Sequence, residues 1–216
     1  MKRIILSIML IIIMIAFFIG TTKAQKIDTV IQTQIYTSYF SYQTHTPLFV
    51  IYKLYKGGGK MSRKLMRFET DGLLESAKES DYAKSGYDIG HMCNAEDFAF
   101  SYSKELMTFR FYNALPQTPK SNRGCWKSLE WKTRIKSQTD TLLIICGGFQ
   151  FNRLMNNKIG VPEYTFKIIK NLTTGEINSY LFPNDNSDSF RELPLNDVLL
   201  RIPYKKDYIL KVNKGR

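Results

Sequence analysis

Hydrophobic and polar residues alternate with period two in the first half of the chain, a pattern typical of strands. Residues 29–42 alternate in this way and are rich in β-branched and aromatic side chains, which predicts one half-buried strand. Residues 48–55 predict a second, more apolar strand, and the glycines within 56–60 predict the turn that ends it. Residues 61–87 are polar and mixed, so we expect an irregular segment with a short helix near 74–83.

The second half of the chain changes from a helical pattern to strands. Residues 122–138 place apolar side chains on one side and basic side chains on the other, which predicts a helix. Strands are predicted at 141–146, 164–171 and 177–182, with a hairpin turn at 172–175 between the last two. A last helix is predicted at 194–201. Because strands predominate and few helices are inserted, the predicted fold class is α+β around a central, largely antiparallel sheet.

The amino-terminal residues have the order of a secretory signal peptide. A basic start at residues 1–3 precedes an unbroken apolar run over 4–20, and small residues follow up to Ala24. We expect cleavage after Ala24, which makes residues 25–216 a single domain that is secreted or periplasmic and has no stable membrane association. A retained transmembrane anchor is the alternative, since about 17 apolar residues nearly span a bilayer.

The net charge favours a polyanionic partner. The chain has 31 basic and 19 acidic residues, and its formal net charge is +12. Removal of residues 1–24 takes away three basic residues and no acidic one, which lowers the net charge to +9. Such an excess attracts nucleic acid, acidic polysaccharide or an anionic membrane surface, and the charge alone does not choose among them.

The cysteines and histidines limit the possible chemistry. Cys146 lies in an apolar run and is expected to be buried in a strand, whereas Cys93 and Cys125 are a possible disulfide pair in an exported protein. His45 lies in a polar turn and is expected at the surface. These cysteines and the two histidines do not have the spacing of a zinc site. His91 is the remaining candidate for catalysis.

Three short blocks between residues 88 and 130 surround this histidine with a recognisable pattern. Its members are Asp88, Gly90 and His91 in the first block, Asn113, Pro116 and Gln117 in the second, and Asn122, Gly124, Trp126, Leu129 and Glu130 in the third. In this order and spacing they resemble the DNA/RNA non-specific endonucleases, a family of ββα-metal nucleases with mitochondrial and secreted bacterial members. The likeness extends from about residue 48 to near the C-terminus.

The resemblance implies a role for each of four residues in phosphodiester hydrolysis. His91 is the general base, because an imidazole with a pKa of about 6.5 is mostly neutral at pH 7 and accepts a proton from water. Asn122 is the metal ligand, and the cofactor is Mg²⁺, with Mn²⁺ as an alternative. Glu130 would accept hydrogen bonds from metal-bound waters, and Asn113 would orient His91 or a phosphate.

One position departs from the family pattern. The family has an arginine between the aspartate and the glycine of the first block, where this chain has Ile89. Either activity is weakened, or another cation reaches the scissile phosphate, for which Arg63, Arg67 and Arg123 are the candidates. Arg67 and Arg123 are the predicted substrate-binding residues. The implied substrates are DNA and RNA, bound through the phosphate backbone with little sequence preference.

Simpler structural roles stand beside these expectations. Asn122 precedes a helical run and could be its N-cap, and Glu130 could pair with Arg134 four residues later. Trp126 is expected to pack in the core.

Two other functions compete with the nuclease, and the sequence leaves the oligomeric state open. One is a nuclease-like polyanion-binding module without turnover, which Ile89 favours. The other is a thiol hydrolase that uses Cys93 or Cys125 with His91.

Overall fold

A computed structural model describes residues 25–72 and 75–204, and a seven-stranded antiparallel sheet forms its centre. The order of the strands across this sheet is β1 (Thr29–Gln32), β2 (Tyr36–Ser41), β3 (Thr46–Leu54), β6 (Leu142–Phe149), β9 (Tyr164–Asn171), β10 (Ile177–Pro183) and β11 (Arg191–Glu192). The prediction of an α+β fold around a largely antiparallel sheet is confirmed. The predicted signal peptide lies outside the described residues.

The single strand that the alternation predicted over residues 29–42 is wrong, because the chain turns back on itself there. β1 and β2 are separate strands that pair antiparallel, with Gln32 opposite Thr37. The hydroxyl group of Thr33 donates to the carbonyl oxygen of Tyr36 and accepts from its amide, which closes the turn. Period-two alternation continues on both sides of so short a turn, so the pattern does not reveal it.

The sheet is covered by apolar side chains on both faces, and its strands alternate between two clusters. Ile144 and Cys146 of β6 face a cluster that contains Trp126 and Leu129, whereas Ile145 faces one that contains Val198. The first face carries the segment with the three sequence blocks, and the second carries the carboxy-terminal helix. The sheet therefore forms the floor on which the candidate site is built.

The segment with the three blocks forms a β-hairpin-like pair followed by a helix. β4 (Asp88–His91) pairs antiparallel with β5 (Ala114–Gln117), and His91 lies opposite Ala114. A helical stretch then runs through a short turn, a π-helical turn over Asn122–Trp126 and the helix Lys127–Lys136. Gly124 has non-helical backbone angles, so the predicted helix over 122–138 has a kink in its first turns.

The other elements are short, and three of the helices lie where the sequence predicted them, whereas the helix Tyr102–Met107, the turn Pro119–Ser121 and the strands Arg153–Met155 and Ile159–Val161 were not predicted. The helices are α1 (Glu79–Tyr82), α2 (Tyr102–Met107), α3 (Pro119–Ser121), α4 (Lys127–Lys136) and α5 (Leu195–Arg201), and a small separate sheet consists of β7 (Arg153–Met155) and β8 (Ile159–Val161). The hairpin between β9 and β10 and the last helix are as predicted. Within the described residues, no helix has the length and apolarity that a membrane crossing requires.

Candidate active site

A cavity of about 290 Å³ opens where β4, the π-helical turn and α4 meet. Its walls bring together residues from the first and third sequence blocks and from the loop before them: Arg63, Ile89, His91, Asn94, Ala95, Glu96, Asn122, Arg123, Lys127 and Glu130. Three predicted site residues, His91, Asn122 and Glu130, thus share one cavity, although His91 is far from the other two in sequence. The end of strand β4 and the first turns of the helical stretch face the same space.

Gly90 is required by the pairing of β4 with β5. A Cβ atom at this position would overlap the side-chain oxygen of Gln117 and lie 2.6 Å from its Cδ atom. Gln117 is fully buried, and both polar atoms of its side chain lack a hydrogen-bond partner among the described residues. The glycine lets β4 approach this buried glutamine, and His91 follows directly at the edge of the cavity.

His91 is held between aromatic rings and presents an unpaired nitrogen atom. The ring centroids of Phe68 and Phe109 lie 4.6 and 4.8 Å from that of His91. The ring is partly exposed, but its Nε2 atom is buried and has no hydrogen-bond partner among the described residues. Burial, helped by the nearby Arg63 guanidinium, lowers the pKa of His91 to about 3. The imidazole is therefore neutral at pH 7, and a neutral imidazole has one ring nitrogen that can accept a proton.

The amide of Asn122 is oriented by Asp88. Its Nδ2 atom donates to the Oδ2 atom of Asp88 at 2.9 Å, which leaves the carbonyl oxygen as the end of the amide not committed to that carboxylate. Asn122 already has helical backbone angles and makes no side-chain cap, so the N-cap role considered for it is wrong.

Arg123 forms a bidentate ion pair with the same aspartate. Its Nε and Nη2 atoms lie 2.8 and 2.6 Å from the two carboxylate oxygens of Asp88. These hydrogen bonds and the guanidinium charge lower the pKa of Asp88 despite its partial burial, which on its own raises it. The side chain of Arg123 is 71% exposed, so it stays accessible to a ligand at the rim of the cavity.

Glu130 is held by a buried lysine. The Nζ atom of Lys167 lies 3.4 Å from Oε1 of Glu130 and 4.0 Å from the centre of the Trp126 ring. The pairing of Glu130 with Arg134 that helical spacing suggested is wrong, because Arg134 binds Asp97 at 3.0 Å instead. Trp126 is buried in the core, as expected. No pattern in the sequence indicated that Lys167, on β9 of the central sheet, reaches this site.

Asn113 lies beside the cavity and not in its wall. Its Oδ1 atom accepts from the amide of Cys93 at 2.8 Å, and its Nδ2 atom donates to the carbonyl oxygens of Cys93 and Thr108 at 2.9 and 2.8 Å. All these bonds go to backbone groups in a fully buried environment. Asn113 thus fixes the chain two residues after His91, and the direct phosphate contact considered for it does not fit this placement.

Arg67 does not line the cavity, which corrects its predicted position. Its guanidinium donates to the carbonyl oxygens of Lys64 and Met66 at 3.0 and 2.9 Å and so closes its own loop. Arg63 from the same loop lines the cavity instead, with its Nε atom 3.9 Å from the buried carboxylate of Glu105. The sequence placed an arginine from this loop near the site but gave no register, because the loop has no periodic pattern.

Ile89 lines the cavity at the position where the family pattern has arginine. It also packs against an apolar cluster that includes Phe111 and Tyr82. The wall next to His91 is therefore apolar at this point, and the cations of the cavity come from Arg63, Arg123 and Lys127.

Three polar residues of the cavity, Asn94, Glu96 and Lys127, were not singled out from the sequence. Asn94 accepts a hydrogen bond from the amide of Glu96 at 2.7 Å and caps the short turn after His91. Lys127 lies one helical turn after Arg123, so four-residue spacing could have identified it as a neighbour in the cavity.

The three cysteines are free and buried, so the disulfide considered between Cys93 and Cys125 is not formed. Burial raises the pKa of the thiols, that of Cys125 to about 11, and none of the three lines the cavity. A thiolate nucleophile beside His91 is inconsistent with this arrangement. Among the described residues, no three His, Cys, Asp or Glu side chains cluster as a metal site.

Comparison with known proteins agrees with the blocks that form the cavity. The family model described as DNA/RNA non-specific endonuclease matches residues 15–203. The chain belongs to this family. The matched residues include β4, β5 and the helical stretch that follows, and with them His91, Asn122 and Glu130.

Two relatives and one solved structure illustrate the similarity. Mitochondrial endonuclease G of Bos taurus is 27% identical over 182 residues, which cover 74% of this chain and 60% of the bovine protein. A nuclease of a Nostoc species is 36% identical over 92 residues, which cover 42% of this chain and 34% of that protein. The chain thus spans less than two thirds of either relative.

The fold is shared with a solved structure of low sequence identity. A chain in the crystal structure of the EndoG/EndoGI complex superimposes with a TM-score of 0.73 at 22% identity, covering 82% of this chain and 85% of that one. This likeness concerns the fold, and it agrees with the ββα arrangement of β4, β5 and the following helix.

Proposed function

We propose that this chain is a divalent-metal-dependent phosphodiesterase that cleaves DNA and RNA with little sequence preference. The observation that carries the proposal is the convergence of His91, Asn122 and Glu130 on one cation-lined cavity. The family to which the chain belongs, and relatives named as nucleases, support the same reaction class.

The residues of the cavity fit a divalent cation. Asp88 accepts a hydrogen bond from the side-chain nitrogen of Asn122, so the side-chain oxygen of Asn122 is the atom that could bind a metal. Glu96 and Glu130 add carboxylates to the same cavity. Oxygen ligands suit Mg²⁺ or Mn²⁺, and Mg²⁺ keeps most of its waters, so one direct protein ligand is enough. When bound, such an ion would stabilise negative charge on the phosphoryl and leaving oxygens.

The side chains divide the remaining work among them. The imidazole of His91 would accept the proton of the attacking water, and its lowered pKa keeps it neutral at pH 7. Arg63, Arg123 and Lys127 would bind backbone phosphates. Asn113 would act through the backbone next to His91 as a positioning residue.

A second candidate function is a polyanion-binding module without turnover. The apolar Ile89 in the cavity wall favours it, because a cation expected beside the scissile phosphate is missing there. Arg63 favours the enzyme, since it supplies a guanidinium to the same cavity as His91 and Ile89.

We also propose that the protein is exported by a signal peptide ending at Ala24. This proposal rests on the pattern of residues 1–24 alone. The name of the bovine relative places that protein in mitochondria, so it lends the proposal no support.

A plasmid-nicking assay with purified protein separates the two functions. We expect supercoiled DNA to be nicked in the presence of Mg²⁺ and left intact when a chelator is added, with nicking restored by excess Mg²⁺. An Ile89→Arg variant should cleave faster than the wild type, because it adds a cation to the cavity wall. Binding of DNA without any metal-dependent cleavage would favour the binding module.

A further inference from the structure

The helix α4 exposes two large apolar side chains on one face, next to the candidate active site. Trp131 and Ile135 are 58% and 51% exposed. Together with Lys127 they are spaced four residues apart, so all three lie along one face of the helix. Lys127 lines the candidate active-site cavity, and this face leads away from it.

Trp131 and Ile135 line a second cavity, of about 300 Å³, that adjoins the first. Its walls are Gly58, Gly59, Glu96, Trp131, Arg134, Ile135 and Gln138. Glu96 lines both cavities, so they are neighbours. The walls are fixed, because Arg134 is bound to Asp97 at 3.0 Å and Gln138 donates to the carbonyl oxygen of Gly57 at 2.8 Å.

We propose that Trp131 is a stacking platform for an unpaired base of a single-stranded nucleic acid whose phosphate lies in the active-site cavity. The inference rests on the proposed function. Lys127 and Trp131 are one helical turn apart, about 6 Å along the axis, which is on the scale of one nucleotide. Aromatic side chains beside a cationic path are how proteins bind single strands without reading sequence.

Charge argues for a polyanion such as nucleic acid on this face. The net charge is +12, or +9 after the proposed removal of residues 1–24, and Lys127 on the same helix face joins Arg63 and Arg123 in the neighbouring cavity. A base in a duplex is already paired and stacked, so only an unpaired base gains the contact with Trp131. The site would therefore increase affinity for single strands over duplexes.

Tryptophan fluorescence tests the platform without cleavage. Trp131 is exposed and Trp126 is 1% exposed, so a stacked base should quench Trp131 selectively. The probe is an oligothymidylate strand of about 12 nucleotides, titrated into the full-length protein with a chelator present. We expect quenching in the wild type. Trp131→Ala should weaken single-strand binding about tenfold and duplex binding of the same length less than twofold, and Trp131→Phe should keep most of the affinity.

Tyr42→Ala is the matched control, because Tyr42 is also an exposed aromatic residue but lines neither cavity. The platform would be overturned if Trp131→Ala left the affinity for both probes unchanged or lowered both affinities equally. It would also be overturned if the wild type were a dimer and Trp131→Ala a monomer in sedimentation velocity, because a second copy would then cover this face. A wild type that cleaves but shows these results overturns the platform alone. A wild type that neither binds nor cleaves nucleic acid overturns the proposed function as well.

Discussion

At the scale of single residues, burial sets the chemistry of the site. Nε2 of His91 has no hydrogen-bond partner among the described residues, and its ring is neutral because burial and the Arg63 guanidinium disfavour the charged form. Glu130 is kept in place by Lys167 from the central sheet. The blocks in the sequence identified His91 and Glu130 but gave no sign of the groups that control them, because those groups come from distant segments.

The lowered pKa of His91 makes the stability of the protein depend on pH. An imidazole in the unfolded chain titrates at about pH 6.5, whereas that of folded His91 titrates at about 3. As the pH falls from 6.5 towards 3, the unfolded state gains a proton that the folded state does not bind. His91 therefore makes the free energy of unfolding fall, by at most about 1.4 kcal/mol per pH unit.

Urea denaturation of the wild type and His91→Gln at pH 7, 6, 5 and 4 measures this effect. The difference in unfolding free energy, wild type minus variant, should decrease as the pH falls. Taking the difference removes the opposite contribution of Asp97, whose pKa is raised by burial. A difference that stays constant over this range would contradict the assigned pKa of His91.

Lys167→Met should destabilise the protein, because it leaves the carboxylate of Glu130 in a nearly dry environment without its partner. Removal of one member of a buried ion pair costs about 3–5 kcal/mol. The double variant Lys167→Met, Glu130→Gln should recover part of this loss, since no charge remains to be buried. Additive losses in the double variant, measured by urea denaturation, would show that the two residues do not interact.

At the scale of elements, the pairing of β4 with β5 determines where the histidine lies. The sequence predicted strands, a helix and the order of the blocks, because these depend on local periodicity and on motif spacing. It missed the turn between β1 and β2 and the kink at Gly124, which depend on contacts between neighbouring segments. It also misplaced Arg67, since the loop that carries it has no periodic pattern to fix the register.

Gly90→Ala tests the fit between β4 and β5. The added methyl group meets the buried side chain of Gln117, and overpacking of this kind costs about 1–3 kcal/mol. Thermal unfolding should show a lower melting temperature for Gly90→Ala. A second change, Gln117→Ala, makes room for the methyl group and should remove most of the added cost. Equal destabilisation by Gly90→Ala in both backgrounds would show that the two side chains do not conflict.

At the scale of the whole molecule, the sheet supports a cavity with cations on its walls in a chain of net charge +12. Binding through phosphates implies that affinity falls with salt, by a slope of about 0.9 per phosphate contact in a double-logarithmic plot. Lys127→Ala should lower the slope for duplex binding by the contribution of one phosphate contact, about 0.9. Lys26→Ala is the control, because Lys26 lies before the edge strand β1 and outside the cavity. Equal slopes for all three proteins would argue against a phosphate contact at Lys127.

The rate of plasmid cleavage by His91→Ala is the decisive measurement for the proposal that His91 is the base of a metal-dependent nuclease. At saturating Mg²⁺ the rate should fall by about 10²–10⁴-fold relative to the wild type, the range for loss of a general base, with DNA affinity unchanged. Cleavage by His91→Ala at the wild-type rate would exclude this role for His91.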